Sequence, residues 1–261
     1  MAAAAGPTTR LAYFDDMWAV HSQAAVLSLH QEEGGRRAVV LDATIFHPQG
    51  GGQPADTGVI SAAGAGAGAR FLVEDVRMKD GVVFHYGRFE DAAGDGCRTE
   101  LIEGQNVTLE IDVERRNLNS RLHSAGHLLD FCVSNAGLHF EPGKGYHFPD
   151  GPFVEYKGVV PPDQLQVKKQ ELEKVANELI SKGEKVLVSV FPYEEAAKLC
   201  GGALPSYIPE DSTPRIVKFG DHPGCPCGGT HVADIADIGN LKVTNMRVKK
   251  GITKVSYSIS L

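Results

Sequence analysis

Cysteine and tryptophan are scarce in this chain, with five cysteines and one tryptophan among 261 residues. An odd, sparse set (Cys97, Cys132, Cys200, Cys225, Cys227) excludes a disulfide-stapled scaffold and points to a reducing, cytosolic setting. No uninterrupted apolar run approaches the roughly 18 to 20 residues that a membrane span requires. The opening Met1-Ala-Ala-Ala-Ala-Gly-Pro7 lacks the basic start and long apolar stretch of a secretory signal, and reads as a disordered tail ahead of Arg10. The N-terminal part has neither G-x-G-x-x-G nor G-K-[ST], so no dinucleotide or phosphate-cradling loop is expected, nor a nucleotide cofactor. Basic charge is also in short supply: 26 Lys and Arg against 33 Asp and Glu leave a net charge of −7. Indiscriminate nucleic-acid binding is disfavoured, and a nucleic-acid partner would need a local basic surface. Candidates are Arg115, Arg116 and Arg121, or Lys242, Arg247, Lys249, Lys250 and Lys254, each run being by default a solvated face.

What the chain does have is a pair of short histidine motifs about a hundred residues apart, His123-Ser-Ala-Gly-His127 and Cys227-Gly-Gly-Thr-His231. On a helix, residues i and i+4 share a face, so His123 and His127 can aim at one point. Cys227 and His231 could meet that pair to complete a Cys/His3 set of the kind a tetrahedral zinc ion accepts. Either motif alone is more often a surface helix or a turn; the combination is the sharper signal.

Around these motifs the chain reads as two parts, residues 8–110 and 111–261. In the first, Arg10–Trp18, Ser22–Gln31, Ala38–Leu41, Val59–Ile60, Arg70–Val76, Val82–Tyr86 and Val107–Ile111 are expected strands between turn signals, the pattern of a small barrel or sandwich. Ser61–Ala69 is low in complexity and is expected to be a mobile hairpin loop. A glycine loop, Gly50-Gly51-Gly52-Gln53, follows an early strand, with Thr44 nearby; it suits either a flexible surface loop or one facing a ligand.

In the second part the periodicity becomes helical. Asp112 is expected to cap a helix over Val113–Asn135 that Gly137 stops, with Leu118, Leu122, Ala125, Leu128, Leu129 and Cys132 facing the core. Gly143–Pro152 reads as a loop, Phe153–Tyr156 as a strand, and Asp163 as the cap of a second helix to about Ser181. Lys185–Phe191, Arg215–Phe219 and a closing hairpin, Leu241–Val248 with Lys254–Ser260, complete an α+β half with an antiparallel sheet.

Ligand counting alone favours a structural metal, because four protein ligands close a zinc site. Against that, the motifs lie on a helix and a distant loop rather than in a small knuckle, and a chain of this size needs no metal staple. The glutamate that follows the first histidine in HExxH metalloproteases is absent, which disfavours that mechanism.

Taken together, LHSAGHLL, CGGTHV and the upstream FHPQGGGQPADTG resemble the trans-editing alanyl-tRNA deacylases (the AlaX family) and the editing domain of alanyl-tRNA synthetase, from about Arg10 to Leu261. The resemblance implies an α+β fold, an N-terminal small β-barrel carrying the glycine motif followed by an α+β editing domain with an antiparallel sheet and a zinc site. It implies one Zn2+ per chain on His123, His127, Cys227 and His231, and hydrolysis of mischarged tRNA(Ala), chiefly Ser-tRNA(Ala) and also Gly-tRNA(Ala). Thr44, Gly50, Gly51, Gly52, Gln53 and Lys144 are the candidate substrate contacts; no general base is identified. Aminoacylation is not expected, since two such domains leave no room for a synthetase catalytic domain, and the long C-terminal oligomerising extension of some relatives is missing. Oligomeric state is not read from the sequence; a monomer is compatible with it. Cys225, two residues before Cys227, departs from the family pattern and opens ligand exchange or oxidation at that loop. Two other readings stand beside this one: a catalytically silent tRNA-binding module with a structural zinc, and a zinc hydrolase acting on another acyl ester.

Overall fold

The computed structural model describes residues 8–32, 34–64, 68–90 and 100–260. The tail over Met1–Pro7, Cys97, Leu261 and the centre of the Ser61–Ala69 loop lie outside the described residues. Two compact units form: one runs to Gly50 and resumes as Pro54–Arg116, and the other takes Gly51–Gln53 and everything from Asn117 onward.

The first unit contains β1 (Arg10–Leu11), β2 (His21–Gln31), β3 (Arg37–Leu41), β4 (Ala43–Thr44), β5 (Gly58–Ala62), β6 (Arg70–Lys79), β7 (Val82–Phe89) and β8 (Asn106–Ile111). Six of these close a barrel in the order β2-β3-β7-β6-β5-β8, while β1 and β4 pair in parallel. Alternation builds its core: Val107, Leu109 and Ile111 on β8 point inward together with Ile60, Phe71 and Val73. Burial of each such side chain contributes about 1.5–3 kcal/mol. On β6 the inward series steps from Val73 to Val76, because a bulge between Val73 and Asp75 resets the register against β7. Asp80 and Gly81 join β6 to β7 with φ of 51° and 77°, a tight turn whose twist suits a hairpin.

Arg10–Trp18 is not one strand. Only Arg10–Leu11 is extended, and Ala12–Phe14 is a 3-10 turn. Asp15 N–H bonds Ala12 O at 3.1 Å, and Asp16 Oδ1 accepts from Trp18 N at 2.9 Å. These local bonds replace a ladder and bury Tyr13 and Met17, four residues apart, rather than an alternating face.

Asp112 begins α1 (Val113–Asn135) as expected, its Oδ1 accepting from Arg115 N at 3.0 Å and its carbonyl from Arg116 N at 3.0 Å. Past the helix end, Gly137 has φ 71° and its N–H bonds Ser134 O.

The second unit continues with β9 (Glu141–Tyr146), β10 (Phe153–Lys157), α2 (Leu165–Lys182), β11 (Val186–Val190), α3 (Tyr193–Leu199), β12 (Arg215–Phe219), β13 (Cys225–Pro226), β14 (Asn240–Lys249) and β15 (Ile252–Ser260). One antiparallel sheet runs β14-β15-β10-β9 and a smaller one β11-β12-β13. The buried stripe of α1 (Leu122, Ala125, Leu128, Leu129, Cys132) packs in one core with Val154, Tyr156, Val243, Val255 and Tyr257 from the larger sheet. Helix α2 buries Leu172, Ala176 and Ile180 at i, i+4 and i+8 and packs on β14. Its Asn177 brackets Leu241, donating to the carbonyl at 2.7 Å and accepting from the N–H at 2.9 Å. Glu173 accepts from Val243 N at 2.9 Å, so the helix satisfies an edge strand that would otherwise offer open backbone groups.

Two expectations are corrected here. The region Gly143–Pro152 is not all loop: Gly143–Tyr146 belongs to β9, paired with β10, and residues 147–152 connect them. Asp163 does not cap α2. Gln164 N–H bonds Pro161 O at 2.9 Å in a turn forced by Pro161-Pro162, and Gln164 then becomes the cap, without a side-chain bond.

Candidate metal centre

Helix α1 presents His123 and His127 one turn apart, and the loop after β13 presents Cys227 and His231. Their donor atoms all lie within 4.8 Å of one another. Cys227 Sγ is 3.5 Å from His123 Nε2 and 3.4 Å from His231 Nε2. Zinc bonds of about 2.0–2.1 Å to nitrogen and 2.3 Å to sulfur, at tetrahedral angles, put neighbouring ligands roughly 3.3–3.8 Å apart. The two Cys227 pairs fit that spacing, and the full set lies within 4.8 Å.

A second ring of bonds orients each imidazole. His123 Nδ1 meets Gln53 Oε1 at 2.8 Å, His231 Nδ1 meets Ser124 Oγ at 3.2 Å, and His127 Nδ1 meets Cys225 Sγ at 3.2 Å. Gln53 Oε1 also accepts from Thr230 N at 2.9 Å, and Ser124 Oγ accepts from Val232 N at 3.1 Å. Gln53 Oε1 can only accept, so it requires Nδ1–H on His123 and leaves the Nε2 lone pair of that ring facing inward; the Ser124 hydroxyl, which can donate or accept, orients His231 in either tautomer. Gly229 N donates to Cys227 Sγ at 3.4 Å, and Arg215 Nη1 grips the Cys227 and Gly229 carbonyls, each at 2.8 Å.

The motif glycines provide space. A Cβ on Gly229 would stand 2.2 Å from His123 Cε1, and one on Gly126 would stand 2.3 Å from His147 Cε1. Gly52, at φ 81°, brings its backbone so close to β9 that a Cβ would meet Gly145 O at 2.5 Å, and its own carbonyl accepts from His147 N at 2.8 Å.

Three of the donors, His123, His127 and Cys227, line a cavity of about 580 Å3 whose wall also includes Gly51, Asp130, His147 and Cys225. His147 stacks on His123 at 4.7 Å and its Nδ1 bonds Tyr257 Oη at 2.7 Å, while that hydroxyl donates to Leu122 O at 2.8 Å. Burial lowers the His127 pKa to about 4. Burial, then the nearby His127, lowers that of His147 to about 3, so both rings are neutral near pH 7 and His147 keeps an acceptor at Nε2. Burial pushes the Asp130 carboxyl up to about 7, against the hydrogen bond from Tyr156 Oη at 2.9 Å. Burial also raises the Cys225 and Cys227 thiols, the Gly229 N–H and Arg215 opposing it at Cys227. A divalent cation reverses that penalty, since a coordinated thiol loses its proton.

The six candidate substrate contacts separate. Gly51 lines the cavity. Gly52 lies next to it in the chain, and Gln53 is fully buried, its amide engaged by His123 and Thr230. Thr44 is also fully buried: its Oγ1 bonds His85 Nε2 at 2.7 Å and accepts from Phe46 N at 3.0 Å inside the barrel unit, which leaves nothing for a substrate. Gly50 is an exposed residue of the first unit. Lys144 is exposed on β9, between the two cavity-lining glycines Gly143 and Gly145. The candidate arginines for a basic surface, by default a solvated face, bond instead to groups of the fold. Arg116 is buried on Asp56, Arg115 Nε bonds Ala55 O at 2.9 Å, and Arg121 Nη2 bonds Ile238 O at 2.8 Å. Sequence reasoning missed His147, Asp130 and Arg215, whose only signals were a histidine in a glycine-aromatic stretch, an aspartate one turn past His127 and an arginine opening a strand.

Comparison with known proteins agrees with these motifs. Residues 11–115 match the family described as tRNA synthetases class II (A), and residues 215–256 match the threonyl and alanyl tRNA synthetase second additional domain. An alanine–tRNA ligase of Halobacterium salinarum is 34% identical over 259 residues, covering 97% of this chain and 26% of the ligase. The alanyl-tRNA editing protein AlaX-L of Pyrococcus horikoshii is 32% identical over 252 residues, 94% of this chain and 57% of that protein. The chain thus spans about a quarter of the ligases it matches and a little over half of the editing protein. By sequence, the chain is similar over nearly its whole length to an AlaX-type alanyl-tRNA editing protein and to the matching section of alanine–tRNA ligases.

Proposed function

We propose that this protein hydrolyses the ester joining a wrong amino acid to tRNA(Ala), chiefly serine and also glycine, using one Zn2+ on His123, His127, Cys227 and His231. The observation that carries the reading is the convergence of these four donors, three of them (His123, His127 and Cys227) on the wall of a cavity of about 580 Å3, a size that accepts an aminoacyl-adenosine end. Similarity to a protein named for alanyl-tRNA editing, over 94% of this chain, supports the substrate class. Residues 8–110 are then the glycine-motif barrel domain and 111–261 the editing domain.

When bound, zinc supplies Lewis acidity toward a water or an ester oxygen. Asp130, its carboxyl pushed up to about 7, titrates where proton transfer at neutral pH is most effective. Tyr156 holds one of its oxygens at 2.9 Å and fixes its orientation. His147 Nε2, an acceptor beside the donor set, suits the serine hydroxyl or the amino group. A site that hydrogen-bonds a hydroxyl favours serine over alanine, which lacks it; glycine, which also lacks it, is expected to be the poorer substrate. Gly51, Gly126, Gly143, Gly145 and Gly228 leave the wall free of side chains where the terminal nucleoside must approach.

The test compares deacylation of Ser-tRNA(Ala) with that of Ala-tRNA(Ala) by wild type, Cys227→Ala and a chelated sample. Selective loss of serine, abolished in the variant and by chelation, is expected. Absence of turnover by metal-replete wild type on any aminoacyl-tRNA contradicts the proposal. That result would favour a silent tRNA-binding module, the reading to which a closed four-ligand site also lends weight.

A further inference from the structure

The larger sheet of the second unit buries one face and leaves the other open. Val154, Tyr156, Val255 and Tyr257 point into the core, while their strand neighbours point outward. Across the outward face, Arg247 on β14 stands opposite Lys254 on β15, and Lys254 stands opposite Glu155 on β10. Lys249 and Lys250 flank this row at the β14–β15 turn, and together these side chains and Ile252 line a cleft of about 220 Å3. No ion pair engages Lys144, Arg247, Lys249, Lys250 or Lys254 among the described residues, whereas Lys157, Lys168, Lys182 and Lys185 of the same unit each hold a carboxylate. Burial, then the charges of Arg247 and Lys144, hold the Lys254 ammonium below its usual range, with Glu155 opposing. Five cations held in no ion pair among the described residues thus gather around the single carboxylate of Glu155 on one face of a chain whose net charge is −7.

Beside the cations runs a row of rings. Tyr146 stacks on Phe153 at 5.3 Å and on Phe148 at 4.5 Å, and Lys254 Nζ lies 3.1 Å over the Phe153 ring. All three rings are half-buried. The edge strand β9 joins this surface to the metal cavity, since Lys144 is exposed between Gly143 and Gly145, which line the cavity wall.

We propose that the open face of the β14-β15-β10-β9 sheet docks RNA leading into the cavity, with Arg247, Lys249, Lys250, Lys254 and Lys144 on its phosphates and the Tyr146–Phe148–Phe153 rings available for base stacking. Cations interleaved with aromatics serve a strand that alternates phosphates with bases. An anionic membrane surface would use the charges and leave the stacked rings idle. The inference rests on the reading that the substrate is a tRNA.

The test is fluorescence anisotropy with labelled, uncharged tRNA(Ala), titrated at several salt concentrations against wild type, Arg247→Glu/Lys250→Glu, Phe153→Ala and Lys174→Glu. Lys174, exposed on α2, is the control, and circular dichroism checks that each variant folds. Charge reversal is expected to raise Kd about tenfold or more and to flatten the dependence of log Kd on log salt by about 0.7–0.9 per lost phosphate contact. Phe153→Ala is expected to weaken binding about fivefold or more with the salt slope unchanged, and Lys174→Glu to bind as wild type does. Wild-type affinity and slope in the charge-reversed variant would overturn this surface and leave the deacylase reading standing. So would loss of phosphatidylserine-vesicle binding with RNA binding intact. Absence of tRNA binding by wild type itself would overturn both.

Discussion

Two buried polar clusters, one in each unit, make an instructive pair. In the barrel unit, Arg116 Nε reaches Asp56 Oδ1 and Oδ2 at 3.1 and 3.0 Å, and its terminal nitrogens reach Met17 O at 2.7 Å and Ile45 O at 2.6 Å. Asp56 also accepts from His47 N at 2.6 Å. Donors there meet acceptors, and the cluster is complete without any added group. In the second unit, His123, His127, His231 and Cys227 turn ring nitrogens and a sulfur toward one another while Gln53, Ser124 and Cys225 bond the opposite ring nitrogens. A cluster of lone pairs facing inward is stable only around a cation or a proton. The difference separates a polar cluster complete in itself from one arranged so that it could hold a metal.

The comparison breaks most severely when a donor is removed. Cys227→Ala is expected to weaken zinc binding by more than the roughly 10–100-fold that a supporting residue costs, as measured by competition with a chromogenic chelator, while leaving the barrel unit intact. Breaking the other cluster does the reverse. Arg116→Met strands Asp56, buried with no exposed surface, and is expected to cost about 3–5 kcal/mol in urea unfolding, with the intrinsic zinc affinity of the folded protein retained. Gln53→Ala tests the supporting ring: zinc affinity or turnover is expected to fall about 10–100-fold, and Gln53→Glu, which keeps an acceptor for His123 Nδ1–H, is expected to recover part of that loss.

The smallest effect is a pH slope in metal-free protein. His127 and His147 have native pKa values lowered to about 4 and about 3. Below about pH 6.5 the unfolded chain therefore binds more protons than the native one at these two sites, and stability falls with pH down to those native values. Asp130, raised to about 7, has the opposite sign, because the native carboxyl stays protonated from the ordinary carboxylate range up to that pH. Asp130→Asn is expected to remove that offset and steepen the acid loss, read from urea midpoints at several pH values in chelator.

Much of this was legible in the sequence where the signal is local. Helix α1 begins and ends where its aspartate cap and stop glycine place it, and His123 and His127 meet Cys227 and His231 because each pair has a chelating spacing. What was not legible depends on distant partners. Arg116 lies in a run that looks solvated, and its buried role comes from Asp56, 60 residues earlier. Gln53 sits in a loop that read as ligand-facing, yet its amide serves Thr230, 177 residues on. Gly143 and Gly145 suggested a loop, and only pairing with β10 makes the stretch a strand. The roles of Arg215 and His147 follow from carbonyls and hydroxyls that no pattern of residue types announces.

The most direct measurement is zinc-edge X-ray absorption on the purified protein, with metal content determined on the same sample. The account predicts one zinc per chain, with one sulfur at about 2.3 Å and three nitrogens at about 2.0–2.1 Å, and loss of the sulfur shell in any zinc retained by Cys227→Ala. A zinc shell without sulfur, or a protein that takes up no zinc when it is supplied, would contradict it.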